Sequence, residues 1–307
     1  MNRSMTILIW LMLLATSMLT GCEKMTDEEL SATGKNVVIR VSEVDAGWEG
    51  QSTRALVPIT EVCTRVCFAV YQDGSRKTYK NQKTGDSDFG SYSLSLDAGT
   101  YQLLVVGHSG AANPTTTNPS KVQFTNPSSS GGTGFTDTFY YYGTLVVGSS
   151  GTQMNISMKR ATAMFRLKTN DAKPAAVKRF QFYYEGGSGA LDATTGYGCV
   201  NSKQSVLVDA TESGQQQFEM YTFPHEGDGG VTFTVKALGA DDNILYTKEF
   251  ANVKMQRNCI TQYSGDFFKN GNVTPSDDDK GSDDPDEPSS NVVMVNPEWG
   301  QTFEYTY

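Results

Sequence analysis

Apolar and polar residues alternate with a period of two along much of this chain, and this alternation limits the fold more than any other feature. Tyr92, Leu94 and Leu96, for example, are separated from one another by single serines. Such a period places alternate side chains on opposite faces of a β-strand. No long segment has the 3.6-residue period of a helix, so the sequence predicts an all-β protein whose sheets pack face to face.

Strand-like runs of this kind are separated by turns rich in glycine, asparagine and aspartate. They lie at residues 37–41, 66–71, 92–96, 101–106, 139–147, 154–158, 164–167, 180–184, 231–237 and 244–250. The turn at residues 97–100 separates two of these runs and predicts a β-hairpin.

The length of the strand-rich region indicates two domains. One strand ends near Met158 and another begins at Ala161, so a boundary there gives two units of the size usual for a β-sandwich. We therefore predict sandwiches at residues 36–158 and 159–270. Residues 109–134, which are dominated by turn-forming residues, are predicted to form a long surface excursion.

The first 21 residues have the pattern of a signal peptide. Arg3 precedes an apolar run at residues 7–14, which is too short to span a bilayer permanently. The tetrad Leu19-Thr20-Gly21-Cys22 resembles the bacterial lipobox, which implies diacylglycerol and an N-acyl chain on Cys22. The alternative is an ordinary secretory signal that happens to contain a cysteine.

Residues 22–35 are predicted to form the acylated tether of the mature protein. Their acidic start resembles the tag that carries many Bacteroidetes lipoproteins to the cell surface, and a plain solvated tether fits nearly as well. Each buried acyl CH₂ group contributes about 0.8 kcal/mol, so several chains anchor a protein stably. We therefore expect an outer-membrane lipoprotein exposed at the cell surface.

The composition and the motifs argue against catalysis, metal binding and nucleic-acid binding. The net charge of −9 provides no basic footprint for phosphates. His108 and His225 are predicted to be loop histidines, and the glycine-rich stretch at residues 186–190 lacks the second glycine of a nucleophile elbow. The acidic run at residues 277–287 fails the calcium-loop pattern, since it has Ser282 where that pattern requires glycine.

The cysteines after Cys22 do not form a metal-binding pattern. Cys63 and Cys67 are four residues apart in a predicted strand, about 13 Å, which is too far for a disulfide between them. Cys199 and Cys259 lie far along the chain. We predict that these four cysteines are buried as small apolar side chains, and long-range disulfides are the alternative.

Residues 271–291 are predicted to form an acidic, flexible linker. Residues 277–287 contain seven acidic residues and one basic residue, Lys280, so their net charge is −6. A segment of this composition cannot bury enough apolar area to fold.

Residues 292–307 are predicted to form a terminal β-strand segment. Trp299, Phe303, Tyr305 and Tyr307 share one parity, as on one face of a half-buried strand. Burial of such side chains stabilises by roughly 1.5–3 kcal/mol each. This strand is expected either to complete a sheet of its own chain or to enter a groove of a neighbouring subunit.

Five motifs resemble the FimB/Mfa2-type branch of the Bacteroidetes fimbrillin superfamily, the anchor and accessory subunits of type V pili. The likeness extends over most of residues 36–268. The motifs are LDAGTY at 96–101, VVGHS at 105–109, KRATAMFRL at 159–167, RNCIT at 257–261 and SGDFF at 264–268.

This resemblance implies two tandem transthyretin-like sandwiches that assemble with other fimbrial subunits by β-strand exchange. In pilins of the superfamily an arginine-specific protease removes an N-terminal strand, and Arg54 before Ala55 stands where such a cut would fall. Anchor subunits keep their lipid end, so an uncut, exposed Arg54 is the alternative.

The expected function is therefore that of a non-enzymatic, lipid-anchored pilus anchor or accessory subunit that supports adhesion. The rival reading is a surface glycan-binding lipoprotein that uses the excursion together with the aromatic run at residues 139–142. Packing of that run in the core is the alternative to a sugar-binding platform.

Overall fold

A computed structural model describes residues 34–45, 56–125, 135–227, 229–269 and 302–306. Its helical elements are one turn of α-helix, α1 (Ile59–Val62), and a 3₁₀ turn at Pro119–Lys121. The strands of the first half are β1 (Val37–Asp45), β2 (Leu56–Val57), β3 (Arg65–Gln72), β4 (Ser75–Lys83), β5 (Ser91–Leu94), β6 (Gly99–His108), β7 (Val122–Gln123), β8 (Thr138–Val147) and β9 (Thr152–Arg160). Those of the second half are β10 (Ala163–Thr169), β11 (Arg179–Gly187), β12 (Ala190–Asp192), β13 (Tyr197–Gly198), β14 (Ser202–Asp209), β15 (Gln217–Thr222), β16 (Gly230–Leu238), β17 (Ile244–Lys254), β18 (Ile260–Gly265) and β19 (Thr302–Thr306).

The all-β prediction is confirmed, and each strand-like run of the sequence falls on a strand. Period-two alternation failed to reveal β4, because only Tyr79 among its nine residues is strongly apolar. The predicted runs also omit β14, β15 and β18. Polar and charged side chains of this kind are common on the outer strands of sheets.

The first half places strands in two layers over one apolar core. In one layer β1 pairs with β5 antiparallel and with β9 parallel. In the other layer the strand order is β8-β6-β3-β4. The layers join where β8 meets β9, through the pairs Phe139↔Arg160 and Tyr140↔Lys159. Ile39, Phe68 and Leu103 are fully buried between them.

The second half repeats this topology. Its first strand, β10, pairs with β15 antiparallel and with β18 parallel, and the facing layer has the order β14-β11-β16-β17. The fully buried Phe165, Phe180 and Phe233 fill the space between the layers. The sequence shows no matching internal repeat, because the pairing of strands is preserved by burial pattern and not by residue identity.

The prediction of a β-hairpin at residues 97–100 is wrong. β5 pairs with β1, whereas β6 pairs with β3 and β8. The turn therefore carries the chain from one layer of the sandwich to the other. Tyr101 fixes this crossing, since its hydroxyl donates to the Asp97 carbonyl oxygen at 3.0 Å.

A third apolar cluster lies between the two halves. The outward faces of β3 and β6 contribute Tyr71 and Val106, and the second half contributes Leu191 and Phe223. Part of the excursion also packs here, because Phe124 lies 4.7 Å from Phe223 between ring centres. β7 pairs with β12, so one short sheet contains strands from both halves.

Arg160, at the end of β9, links the halves by hydrogen bonds. It is 6% exposed, and its Nε lies 2.9 and 3.0 Å from the two carboxylate oxygens of Asp137. Its Nη1 donates to the Asn258 side chain in the turn before β18, at 2.7 Å. Arg257 adds a second link, because its Nη1 donates to the Tyr140 hydroxyl at 3.1 Å.

We expect Arg160→Ala to lower the free energy of unfolding by about 2–4 kcal/mol, because Asp137 then loses its guanidinium partner in a largely buried site. Urea unfolding followed by circular dichroism measures the change. Arg179→Ala removes an exposed ion pair with Asp242 and is the control, with an expected loss below about 1 kcal/mol. Equal losses in the two variants would contradict the role assigned to Arg160.

Candidate strand-exchange interface

The edge of the second half is formed by the last strand of the chain. β18 pairs in parallel with β10 on one side and with β19 on the other. The register of β19 runs from Ile260↔Thr302 to Ser264↔Thr306. Thus β19 completes a four-stranded layer of its own chain although residues 270–301 separate it from β18 in sequence.

Two tyrosines stack across this edge. The rings of Tyr263 and Tyr305 lie 4.7 Å apart with an angle of 18° between their planes. Tyr263 also contacts Phe250 edge-on at 5.0 Å. Burial raises the pKa of Tyr263 to about 12, and Tyr305 adds to this, so the phenol stays neutral. An aromatic pair of this kind contributes about 0.5–1.5 kcal/mol beyond its buried area.

The exit from β18 is fixed by Asp171. Its carboxylate is 7% exposed and accepts the backbone N–H groups of Phe267, Phe268 and Lys269 at 3.0, 2.6 and 3.0 Å. The rings of Phe267 and Phe268 pack in the core of the second half. The point from which residue 270 departs is therefore held by a charge-assisted cluster of hydrogen bonds.

The structure describes only part of the site predicted from the sequence. Cys22, Arg54, Ala55, Trp299 and Tyr307 lie outside the described residues. The linker prediction for residues 271–291 does so as well.

Within β19 the structure places Tyr305 on the tyrosine stack and pairs the backbone of Phe303 with Thr261. Sequence reasoning missed Tyr263 and Asp171 on the receiving side. The alternation of Thr261 and Tyr263 next to the SGDFF motif was the available signal for the receiving strand.

His108 lies at the end of β6, against the third apolar cluster. Its Nδ1 accepts the Gly110 N–H at 3.0 Å, and its ring meets Phe124 edge-on at 5.8 Å. Burial, with a smaller contribution from the Arg65 guanidinium, lowers its pKa to about 4. The imidazole is therefore neutral and structural near neutral pH.

Ser188, in the glycine-rich stretch that was compared with a nucleophile elbow, is fully buried. Its hydroxyl donates to the Ala190 carbonyl and accepts the N–H groups of Cys199 and Val200 at 3.1 and 3.2 Å. These contacts organise the turn before β12.

The four cysteines after Cys22 differ in how far their thiols are buried. Cys63 and Cys67 are buried on opposite sides of the first-half sheet, and burial raises the pKa of each to about 12. Cys199 is exposed and Cys259 is partly buried, and no disulfide joins any two of these four cysteines. Among the described residues no group of three or more His, Cys, Asp or Glu side chains is placed to hold a metal ion.

A cavity of about 330 Å³ lies at the junction of the halves and is lined by Phe135, Asp137, Glu219 and Tyr221, among others. Both carboxylates already have cationic partners. Arg160 binds Asp137, and the Arg166 Nε lies 2.7 Å from Glu219. Burial, assisted by these two carboxylates, raises the pKa of Tyr221 above its usual range. The cavity is thus part of the junction's charge network.

The side chains of the aromatic run at residues 139–142 are buried or half-buried. Phe139 and Tyr140 are buried in two different apolar clusters, and Tyr141 and Tyr142 are half-buried. A flat sugar-stacking surface requires exposed rings, so this geometry does not favour the glycan-binding alternative.

In the described ranges, no helix has both the length and the apolar character needed to cross a bilayer.

The fold and the interface define a β-sandwich protein of two topologically equivalent halves whose last strand returns from a long connection to a sheet edge. The family model for the fimbrillin-A associated anchor proteins Mfa1 and Mfa2 matches residues 58–300. The chain therefore belongs to that family, and the resemblance seen in the sequence is confirmed. No curated protein matches the chain.

Several solved structures resemble the chain at low identity. A Bacteroides thetaiotaomicron protein, named provisionally as polysaccharide-binding, is 11% identical, with a TM-score of 0.47 and coverage of 70% of this chain and 79% of that one. A Bacteroides ovatus protein, named provisionally as an adhesin, is 13% identical, with a TM-score of 0.46 and coverage of 89% and 100%. The fimbrial anchor protein Mfa2 of Porphyromonas gingivalis is 13% identical, with a TM-score of 0.41 and coverage of 69% and 79%. Likenesses at these scores support no inference about function.

The low pKa of His108 predicts that stability depends on pH. The unfolded histidine has a pKa near 6.5, so between about pH 6.5 and 4 the unfolded chain binds a proton that the folded chain excludes. The contribution of the neutral His108 imidazole to the free energy of unfolding is fully present above about pH 6.5. This contribution is lost as the pH falls from about 6.5 to about 4. We expect the free energy of unfolding to fall by about 3 kcal/mol more in the wild type than in His108→Asn.

The asparagine amide oxygen in this variant can still accept the Gly110 N–H, which limits the structural change. Urea unfolding of both proteins at a series of pH values gives the difference directly. Parallel pH curves for the two proteins would show that the His108 assignment is mistaken.

Proposed function

We propose that this chain is a non-enzymatic fimbrial anchor or accessory subunit, held in the outer membrane by acyl chains on Cys22 and exposed at the cell surface. The observation that carries the proposal is the family match over residues 58–300. The lipobox-like tetrad that ends at Cys22 supports the anchor. Its partners are other fimbrial subunits, and its contribution to adhesion is to connect them to the membrane.

Strand complementation is the proposed means of assembly. Among the strands that the structure describes, β19 pairs with one neighbour, β18, through five register pairs. Since residues 270–301 connect it to the rest of the chain, release from β18 leaves it tethered and able to pair with another sheet edge. Exchange of this strand, in which Phe303 and Tyr305 share one parity of the sequence, would join this subunit to a neighbour.

The topology of the first half supports a receiving edge as well. β9 occupies there the position that β18 occupies in the second half, parallel to the first strand of its unit. Within the described ranges, residues 152–158 of β9 pair with no strand on the side away from β1. An incoming strand on that side would repeat the β18–β19 arrangement.

A disulfide that locks β19 onto its own sheet tests strand exchange. Ser264 and Thr306 are register partners, and the strand spacing of about 4.8 Å suits the Cα separation of a disulfide. We expect oxidised Ser264→Cys/Thr306→Cys protein to lose association with fimbrial subunits, and reduction to restore it. The measurement is co-purification with fimbriae from cells.

Each single cysteine variant is the matched control and should associate normally under both conditions. If the oxidised double variant co-purifies in wild-type amounts, β19 acts only within its own chain. The anchor role would survive that result, since it rests on the family match and on Cys22.

Mass spectrometry of the mature N-terminus tests the anchor. We expect chains from intact cells to begin at Cys22 with diacylglycerol and an N-linked acyl chain, and Cys22→Ser to abolish this mass and the retention in membranes. Chains that begin at Ala55 are the opposing outcome, because a cut after Arg54 separates the body from its lipid.

A further inference from the structure

The hairpin of β3 and β4 carries a concentration of positive charge in a chain whose net charge is −9. Residues 65–83 contain Arg65, Arg76, Lys77, Lys80 and Lys83, with Asp73 as the single acidic residue. The hairpin therefore has a net charge of +4.

Part of this charge is available to solvent. Lys80 pairs with Asp88. Lys77 and Lys83 are exposed, and among the described residues neither has an acidic side chain at ion-pair distance. The guanidinium of Arg76 lies 4.2 Å above the Tyr79 ring, which is itself 53% exposed. We name Arg65, Arg76, Lys77, Tyr79 and Lys83 the basic face.

Protection of a sheet edge does not account for this face. β4 is the last strand of its layer, and lysines on such strands discourage pairing with other chains. The topologically equivalent edge strand, β14, carries Lys203 alone, and this lysine pairs with Glu185. An edge of the same fold is thus maintained with one cation that is already neutralised.

The same chain contains a segment of complementary charge. Residues 277–287 hold seven acidic residues and Lys280, so their net charge of −6 is two thirds of the charge of the whole protein. Both ends of the connection that contains them are fixed by the structure, at Lys269 and at Thr302. Tethering of this kind raises the effective concentration of a segment near its own body to the millimolar range.

The basic face is within reach of this segment. A row of register partners, Arg160–Phe139–Gly107–Val66–Gln82, crosses from β9 to β4, and the row Met164–Ile260–Thr302 crosses from β10 to β19. With strands about 4.8 Å apart and four residue steps from Arg160 to Met164, Thr302 lies at most about 43 Å from Gln82. Residues 288–301, which separate Glu287 from Thr302, extend to about 50 Å.

We propose that the acidic segment at residues 277–287 docks on the basic face of its own chain. The docked segment neutralises Lys77 and Lys83 and holds the connection to β19 along the first half of the molecule. The interaction is electrostatic and solvent-exposed, so salt weakens it.

Zero-length carbodiimide cross-linking of the full-length protein tests the proposal. In monomers at low salt, we expect amide links from Lys77 and Lys83 to carboxylates of residues 277–287, located by peptide mass spectrometry. Their yield should fall at least about fivefold in about 0.5 M NaCl, where the screening length is only a few ångströms. Lys168 is the comparison amine, because it is exposed and pairs with Ser264 on the strand beside β19.

Arg76→Glu separates docking from chance encounter, since it reverses one charge of the face without removing a reactive amine. It should reduce the links at Lys77 and Lys83 several-fold, whereas Arg179→Glu, on the second half, should leave them unchanged. Unaltered urea midpoints show that both variants are folded.

Three results would overturn the proposal. These are equal linking at Lys168, links that occur only between chains in dimers, and protection of Lys77 and Lys83 from acetylation that requires anionic phosphatidylglycerol vesicles. The last result would assign the basic face to a membrane surface. None of these outcomes bears on the fimbrial role, which rests on other observations.

Discussion

Each half of the molecule places its last strand parallel to its first, β9 beside β1 and β18 beside β10, and this pairing decides where the sheet edges lie. Parallel neighbours cannot be joined by a tight turn. The chain therefore crosses between layers, and its last strand arrives at the outer side of the first. A strand there presents backbone donors and acceptors that a further strand can satisfy. β19 satisfies those of β18, and the proposed assembly follows from the same requirement at β9.

The two points at which the body is connected to other parts lie at opposite ends of this arrangement. β1 begins next to the segment that leads from Cys22, whereas β9 ends at the junction with β10. β18 starts at that junction, and its exit at Lys269 lies at the far end of the second half. In the proposed anchor, tension between the membrane and a fimbrial partner would therefore pass through the junction. The buried Arg160 and the shared apolar cluster are placed to resist it.

The sequence predicts many of the strands, because alternation reports burial on one face and burial in two-layer sandwiches is regular. It does not predict β4, β14, β15 and β18. It does not predict which strands pair, since pairing is set by contacts between distant residues. The false hairpin at residues 97–100 and the unrecognised repeat of topology both come from this limit. At the interface, parity identified Tyr305 on the incoming strand. Asp171 was missed because its three partners lie 96 to 98 residues away.

The β19 contact within the chain is modest, which is compatible with the proposed strand exchange. Tyr305 is only half-buried, and the stack on Tyr263 adds about 0.5–1.5 kcal/mol. Pairing within one chain is then favoured mainly by the high effective concentration that the connection provides. Outside residues 277–287 the protein has a net charge of only −3, with −9 in total and −6 in that segment. If the acidic segment docks on the basic face as proposed, its position would set how often β19 is available to a neighbouring subunit.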